Sequence, residues 1–122
     1  MNVRKLSIVM SVLLVSISDS EVNAAELNAA PDGSFSIIVI PDTQHYRGEG
    51  TKMTPDSTQP LTNSVFDSYT DWIVRNLDRQ RVAFVSHVGD IVDKNNGEQW
   101  ALARKMMYKL HGKIPYGISV GN

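Results

Sequence analysis

Three short stretches hold the residues of this chain best suited to chemistry: "PDTQHY" at 41–46, "GDIVD" at 89–93 and "GN" at 121–122. They supply Asp42, Gln44, Asp90, Asp93 and Asn122, a set of carboxylate and amide oxygens. Two carboxylates brought close together repel each other, and a divalent cation relieves that repulsion. The chain has no Cys, which excludes thiolate zinc sites, a thiolate nucleophile and a disulfide framework. Oxygen and nitrogen donors without thiolate suit Mn, Mg, Zn or ferrous iron. Two such ions roughly 3.5–4 Å apart can polarise a phosphoryl oxygen and make hydroxide available near neutral pH. A carboxylate has two oxygens and can bridge the pair.

Those residues need a scaffold that brings them together. "SFSIIVI" at 34–40 follows the turn signal Pro31-Asp32-Gly33 and is nearly all apolar, which predicts a strand buried on both faces. Pro41 ends it, having no N–H for a ladder. Residues 42–60 are polar and turn-rich, a loop long enough to be functional or mobile. From Leu61 to about Arg79, Val65, Tyr69, Trp72/Ile73 and Asn76/Leu77 recur at helical spacing, with Thr62 or Ser64 as the cap. A second buried-type strand is expected over 82–88. A second helix is expected from Glu98 to about His111, with Trp100, Ala103, Met107 and Leu110 on one face and Gly112 ending it. A last strand is expected over 116–120. Trp72, Trp100, Met106 and Met107 are expected in the core.

The order strand, helix, strand, helix, strand predicts an α/β fold: a βαβαβ unit with a parallel sheet and right-handed crossovers. The carboxyl ends of the three strands then share one edge, where such sheets bind ligands. That edge receives Asp42, then Asp90 and Asp93, then Asn122. The middle strand carries the natural bridging carboxylate, Asp90.

In this order and after these strands, the motifs Asp42-Thr43-Gln44, Gly89-Asp90-Ile91-Val92-Asp93 and Gly121-Asn122 resemble the calcineurin-like metallophosphoesterases. The flanks "IPDTQHY", "HVGDIVD" and "IPYGISVGN" resemble a subgroup with Gln in place of the first histidine. The likeness runs from about Ser34 to Asn122. It implies the amino-terminal half of an α-β-β-α sandwich, two divalent ions (Mn, Fe, Zn or Mg), and hydrolysis of a phosphomonoester or phosphodiester by metal-activated water. It implies that Asp42 binds the first metal, Asp90 bridges both and Asn122 binds the second. Asp93 would orient the site rather than ligate. Gln44 stands where the family has histidine; its amide oxygen is a weaker ligand. The family's next histidine would follow Asn122, so the chain is expected to be the amino-terminal part of a longer enzyme, itself nearly inactive, with no catalytic acid of its own.

Simpler roles compete elsewhere. His45 and Arg47, with Tyr46, can contact a substrate phosphate or belong to a solvated loop. His87, within a strand, is expected to be a satisfied buried histidine. His111, at a helix end, complements the dipole. "RNLDRQR" at 75–81 is expected to be a solvated helix end.

Residues 1–24 carry Arg4 and Lys5, an apolar run from Leu6 to Ile17 and a small-x-small site at Val22-Asn23-Ala24. This is the pattern of a secretory signal. It predicts export to the periplasm or medium, with no stable membrane anchor after cleavage. A formal net charge of −1 gives no basic field for nucleic acid. The phosphoesterase domain is expected over 34–122. Two alternatives stand beside it: an exported binding module that kept the sheet without the chemistry, which Gln44 favours, and a flavodoxin-like or receiver-like domain with acidic residues at its strand ends, for which phosphoryl acceptance on Asp would speak.

Overall fold

A computed structural model describes residues 27–121. The expected signal segment 1–24 and the expected ligand Asn122 lie outside the described residues. Strand β1 spans Ser36–Ile40, helix α1 Ser64–Asn76, strand β2 Val82–His87, helix α2 Gly97–Tyr108 and strand β3 Tyr116–Ile118. The sheet is parallel, in the order β1-β2-β3. The α/β class and the βαβαβ order are as the sequence predicts. Among the described residues, no helix is long and apolar enough to cross a membrane.

Both crossovers step the same way along the sheet. Two right-handed crossovers in one direction put both helices on one face. The helices do pack against each other. Lys109, the residue that caps α2, donates to Asp67 at 2.5 Å and to Asp71 at 2.7 Å, both on α1. Its hydrogen bond holds the Asp71 carboxyl below its usual range. Burial pushes the Lys109 ammonium down, but the two aspartates outweigh it and its pKa is raised.

The core lies between this helix pair and the near face of the sheet. Ile40, Phe66, Ile73, Val85, Met107 and Leu110 are buried there, together with Met106. On β1 the alternation is plain. Ile40 is buried and Ile38 packs against the core, whereas Ile37 and Val39 are 56% and 58% exposed. Phe35 and Phe84 are exposed as well. The strand expected to be buried on both faces is thus covered on one. An apolar run cannot reveal which of its faces is covered, because β-branched residues satisfy strand geometry on both.

Two further expectations shift. The inward face of α1 is Phe66, Thr70 and Ile73, one position from the stripe through Val65 and Tyr69. Asn63, rather than Thr62 or Ser64, is the cap, and its Oδ1 accepts the Phe66 N–H at 3.0 Å. Trp100 is not core: it is 45% exposed, while α2 buries Gln99, Ala103, Met106 and Met107. Trp72 is partly buried against the core.

One-sided coverage has a measurable consequence. Phe66→Ala should cost about 3–5 kcal/mol, as expected for a large buried aromatic. Ile37→Ala on the open face should stay within about 1 kcal/mol. Urea unfolding of both variants checks this, and equal losses would show that the β1 outer face is covered.

Candidate metal-binding edge

The three strand ends are laced together beyond the strands themselves. Val88 N–H donates to Ile40 C=O at 3.1 Å, Ser119 N–H to His87 C=O at 2.8 Å, and Thr43 N–H to Asp90 C=O at 3.2 Å. The last bond sets the loop after β1 beside the loop after β2. Asp42 and Asp90 are thereby brought to neighbouring loops on one edge.

The close approach requires glycine at two places. A Cβ on Gly89, whose φ is +100°, would meet Gly121 N at 2.8 Å. A Cβ on Gly121 would lie on the Asp90 carboxylate and 2.5 Å from its backbone N. Asp90 itself holds φ +52°, in the left-handed region that L-residues other than Asn and Asp rarely enter. The bend turns Asp90 onto the wall of a cleft of about 580 Å³.

His87 sits under this edge, fully buried. Its Nδ1 accepts the Gly89 N–H at 3.1 Å, so Nε2 carries the proton and donates to Thr43 Oγ1 at 3.1 Å. The Thr43 hydroxyl then donates to Ile91 C=O at 3.2 Å. Phe66 packs edge-on against the ring at 5.4 Å between centroids. Every polar atom of the imidazole is satisfied in the neutral form, as its place within a strand predicts. Burial pulls the His87 pKa below the usual histidine value, and the nearby Asp42 carboxylate opposes this only in part.

The predicted site residues fall into three groups. Asp42 is exposed, and its Oδ1 accepts the Gln44 N–H at 2.7 Å in a local turn. Gln44 donates its Nε2 to Val92 C=O at 3.0 Å, which leaves Oε1 as the end of the amide able to meet a cation. Gln44, Asp90 and Asp93 line the cleft. Asp93 is only 5% exposed. Its Oδ2 accepts the Lys52 N–H at 2.9 Å and so fastens the long loop to the Gly-Asp loop, while Oδ1 has no protein partner. His45 and Arg47 are exposed and do not line the cleft; Arg47 pairs its backbone with Thr62. Between them, Tyr46 points the other way and is fully buried. Burial pushes its hydroxyl up to about 12 and the Asp93 charge adds to it, while the hydroxyl has no hydrogen-bond partner among the described residues. Among the described residues, no three His, Asp or Glu side chains converge as a metal-binding group.

Sequence reasoning passed over Lys52 and Asn95 and placed Trp100 in the core; all three line the cleft. Trp100 Nε1 donates to Asn95 Oδ1 at 2.7 Å. The turn signal Asn95-Asn96-Gly97 just before Trp100 was the available clue. His111, expected at a helix end, lies three residues past α2 and stacks on Tyr108, with ring centroids 5.2 Å apart. The 75–81 segment is not simply solvated: Arg79 and Gln80 donate to Leu27 C=O and Asn28 C=O, and Arg81 pairs with Asp32.

Two measurements test this geometry. Below about pH 6.5 the unfolded chain takes up a proton at His87 that the folded protein resists, so stability should fall as pH falls from there to the lower folded pKa. His87→Phe strands the Gly89 N–H and should cost about 1–3 kcal/mol at pH 8 while flattening this dependence. Unchanged pH dependence in the variant would place the titrating group elsewhere. Separately, Gly89→Ala should lose about 1–3 kcal/mol. Gly50→Ala, at φ +70° with open space around it, should lose less, because only backbone strain is added. Both are read by urea unfolding.

Comparison with protein-family models, with curated proteins and with solved structures found no match.

Proposed function

We propose that the edge carrying Asp42, Gln44 and Asp90 is part of the metal site of a calcineurin-like phosphoesterase, and that the protein hydrolyses a phosphomonoester or phosphodiester. The observation that carries this reading is the lacing of two strand-end loops by the Thr43–Asp90 and Gln44–Val92 bonds, which brings oxygen donors to one edge. The donor chemistry fits a hard divalent ion: a carboxylate at Asp42, another at Asp90, and the amide oxygen that Gln44 keeps free of protein partners. Asn122, next in the chain after Gly121, is the fourth proposed ligand. When bound, a metal pair supplies charge to polarise the phosphoryl group and to activate water.

The chain's own residues do the positioning. His87 stays neutral and holds the Asp42 and Asp90 loops at a fixed spacing through Thr43 and Gly89. Asp93 fixes the loop that carries Lys52, whose ammonium offers a counter-charge to a phosphate in the cleft. With residues 1–24 as a secretory signal, the reaction takes place outside the cytoplasm.

Metal binding can be read without turnover. Mn²⁺ at about ten times its Kd should add about 1.4 kcal/mol of stability. That is a rise in Tm of about 5 °C for a chain of 122 residues. Asp42→Asn and Asp90→Asn should each remove most of the rise while leaving the metal-free Tm nearly unchanged. No rise with Mn²⁺ or Mg²⁺ would overturn the reading in favour of a binding module without the chemistry.

A further inference from the structure

The same cleft is lined by two unlike sets of side chains. Gln44, Asp90, Asp93 and Lys52 are polar or charged. Trp100, Ile118 and Val120 are apolar, and all three are at least 45% exposed. Exposing a tryptophan on an otherwise well-packed helix forgoes a large burial gain, since aromatic side chains dominate core energetics. Trp100 is also held in place. Its indole N–H is fixed by Asn95 Oδ1 at 2.7 Å, and Asn95 precedes the α2 cap Asn96 in a turn anchored by Gln99. A tryptophan that is exposed, pinned and beside charged groups is built as a platform rather than as packing.

We infer that the cleft accepts a phosphate ester whose organic group carries a planar heteroaromatic ring, stacked on Trp100 with the phosphate toward Lys52 and the carboxylate edge. The position of the phosphate rests on the proposed phosphoesterase reading; the ring site rests on Trp100, Asn95 and Ile118. The chemistry favours a heteroaromatic ring over a sugar. Sugar hydroxyls need several polar partners, and beside the faces of Trp100, Ile118 and Val120 the side chains offer only the Ser119 hydroxyl and the Asn95 amide. Asn95 keeps its amide NH₂, a donor suited to one ring nitrogen or carbonyl oxygen. The cleft volume of about 580 Å³ lies within the range that holds a ligand of that size.

Nuclear magnetic resonance on the full chain tests this, because there are two tryptophans and hence two indole N–H signals. Trp72→Phe assigns them. Adenosine 5′-monophosphate and adenosine should both move the Trp100 signal, and ribose 5-phosphate should not. Trp100→Leu should weaken adenosine 5′-monophosphate by at least about fivefold, the low end of what losing a stacking partner costs. Trp100→Phe should recover most of that loss, and a variant that fails to recover would place the effect in folding rather than stacking. Equal shifts with ribose 5-phosphate, or no shift with any probe, would overturn the ring site. The Mn²⁺ response of Tm, read on the same samples, separates the two ideas. A lost metal response with the ring shift intact sinks only the phosphoesterase reading; a metal response without the ring shift sinks only the ring site.

Discussion

A neutral imidazole under the sheet edge holds the rest of the edge in register. His87 Nδ1 is an acceptor and Nε2 a donor, and the surroundings demand that polarity: the Gly89 N–H faces one nitrogen and the Thr43 hydroxyl, already committed to Ile91 C=O, faces the other. A second proton would set an N–H against an N–H in a buried place. Because Gly89 and Ile91 flank Asp90, and Thr43 follows Asp42, one ring fixes the spacing of both carboxylate loops. The fold below, with Val85 and Phe66 buried beside the ring, serves to keep water away from it.

Side-chain amides extend that order outward. Asn63 uses both ends: Oδ1 caps α1 and Nδ2 holds Thr43 C=O at 2.7 Å. Gln99 does the matching work on the other loop, where Oε1 accepts from both Asp93 N–H and Lys94 N–H. Each helix amino-terminus is thereby fastened to the loop of a preceding strand. In the long polar segment after β1 hydroxyls take that part, with Thr51 and Thr54 folding it onto Gly48 C=O. An amide is suited to the task because it offers a donor and an acceptor in one rigid plane.

The order of strands and helices was legible because apolar runs and helical stripes are local signals. The edge itself was legible too, since parallel topology forces strand ends together. What escaped was set by partners distant in sequence. Ile37 and Val39 read as buried although they are more than half exposed among the described residues, and Trp100 read as core because only its neighbours in space distinguish a wall from an interior. Asn63 was passed over for Thr62 and Ser64, which cap helices about as readily; its contact with Thr43, twenty residues away, decides the matter. Gln44 was weighed as a ligand without its Nε2 bond to Val92 C=O, which orients the amide.

The left-handed backbone at Asp90 orders the replacements this position can accept. Asparagine enters that conformation nearly as readily as aspartate, and glycine more readily still. Glutamate keeps the charge yet fits the backbone poorly, and β-branched residues fit worst. Asn and Gly are therefore the replacements that keep the bend at least cost, and both remove the charge. With either of them the outline of the edge would outlast the carboxylate, because it is set by the backbone and not by the charge.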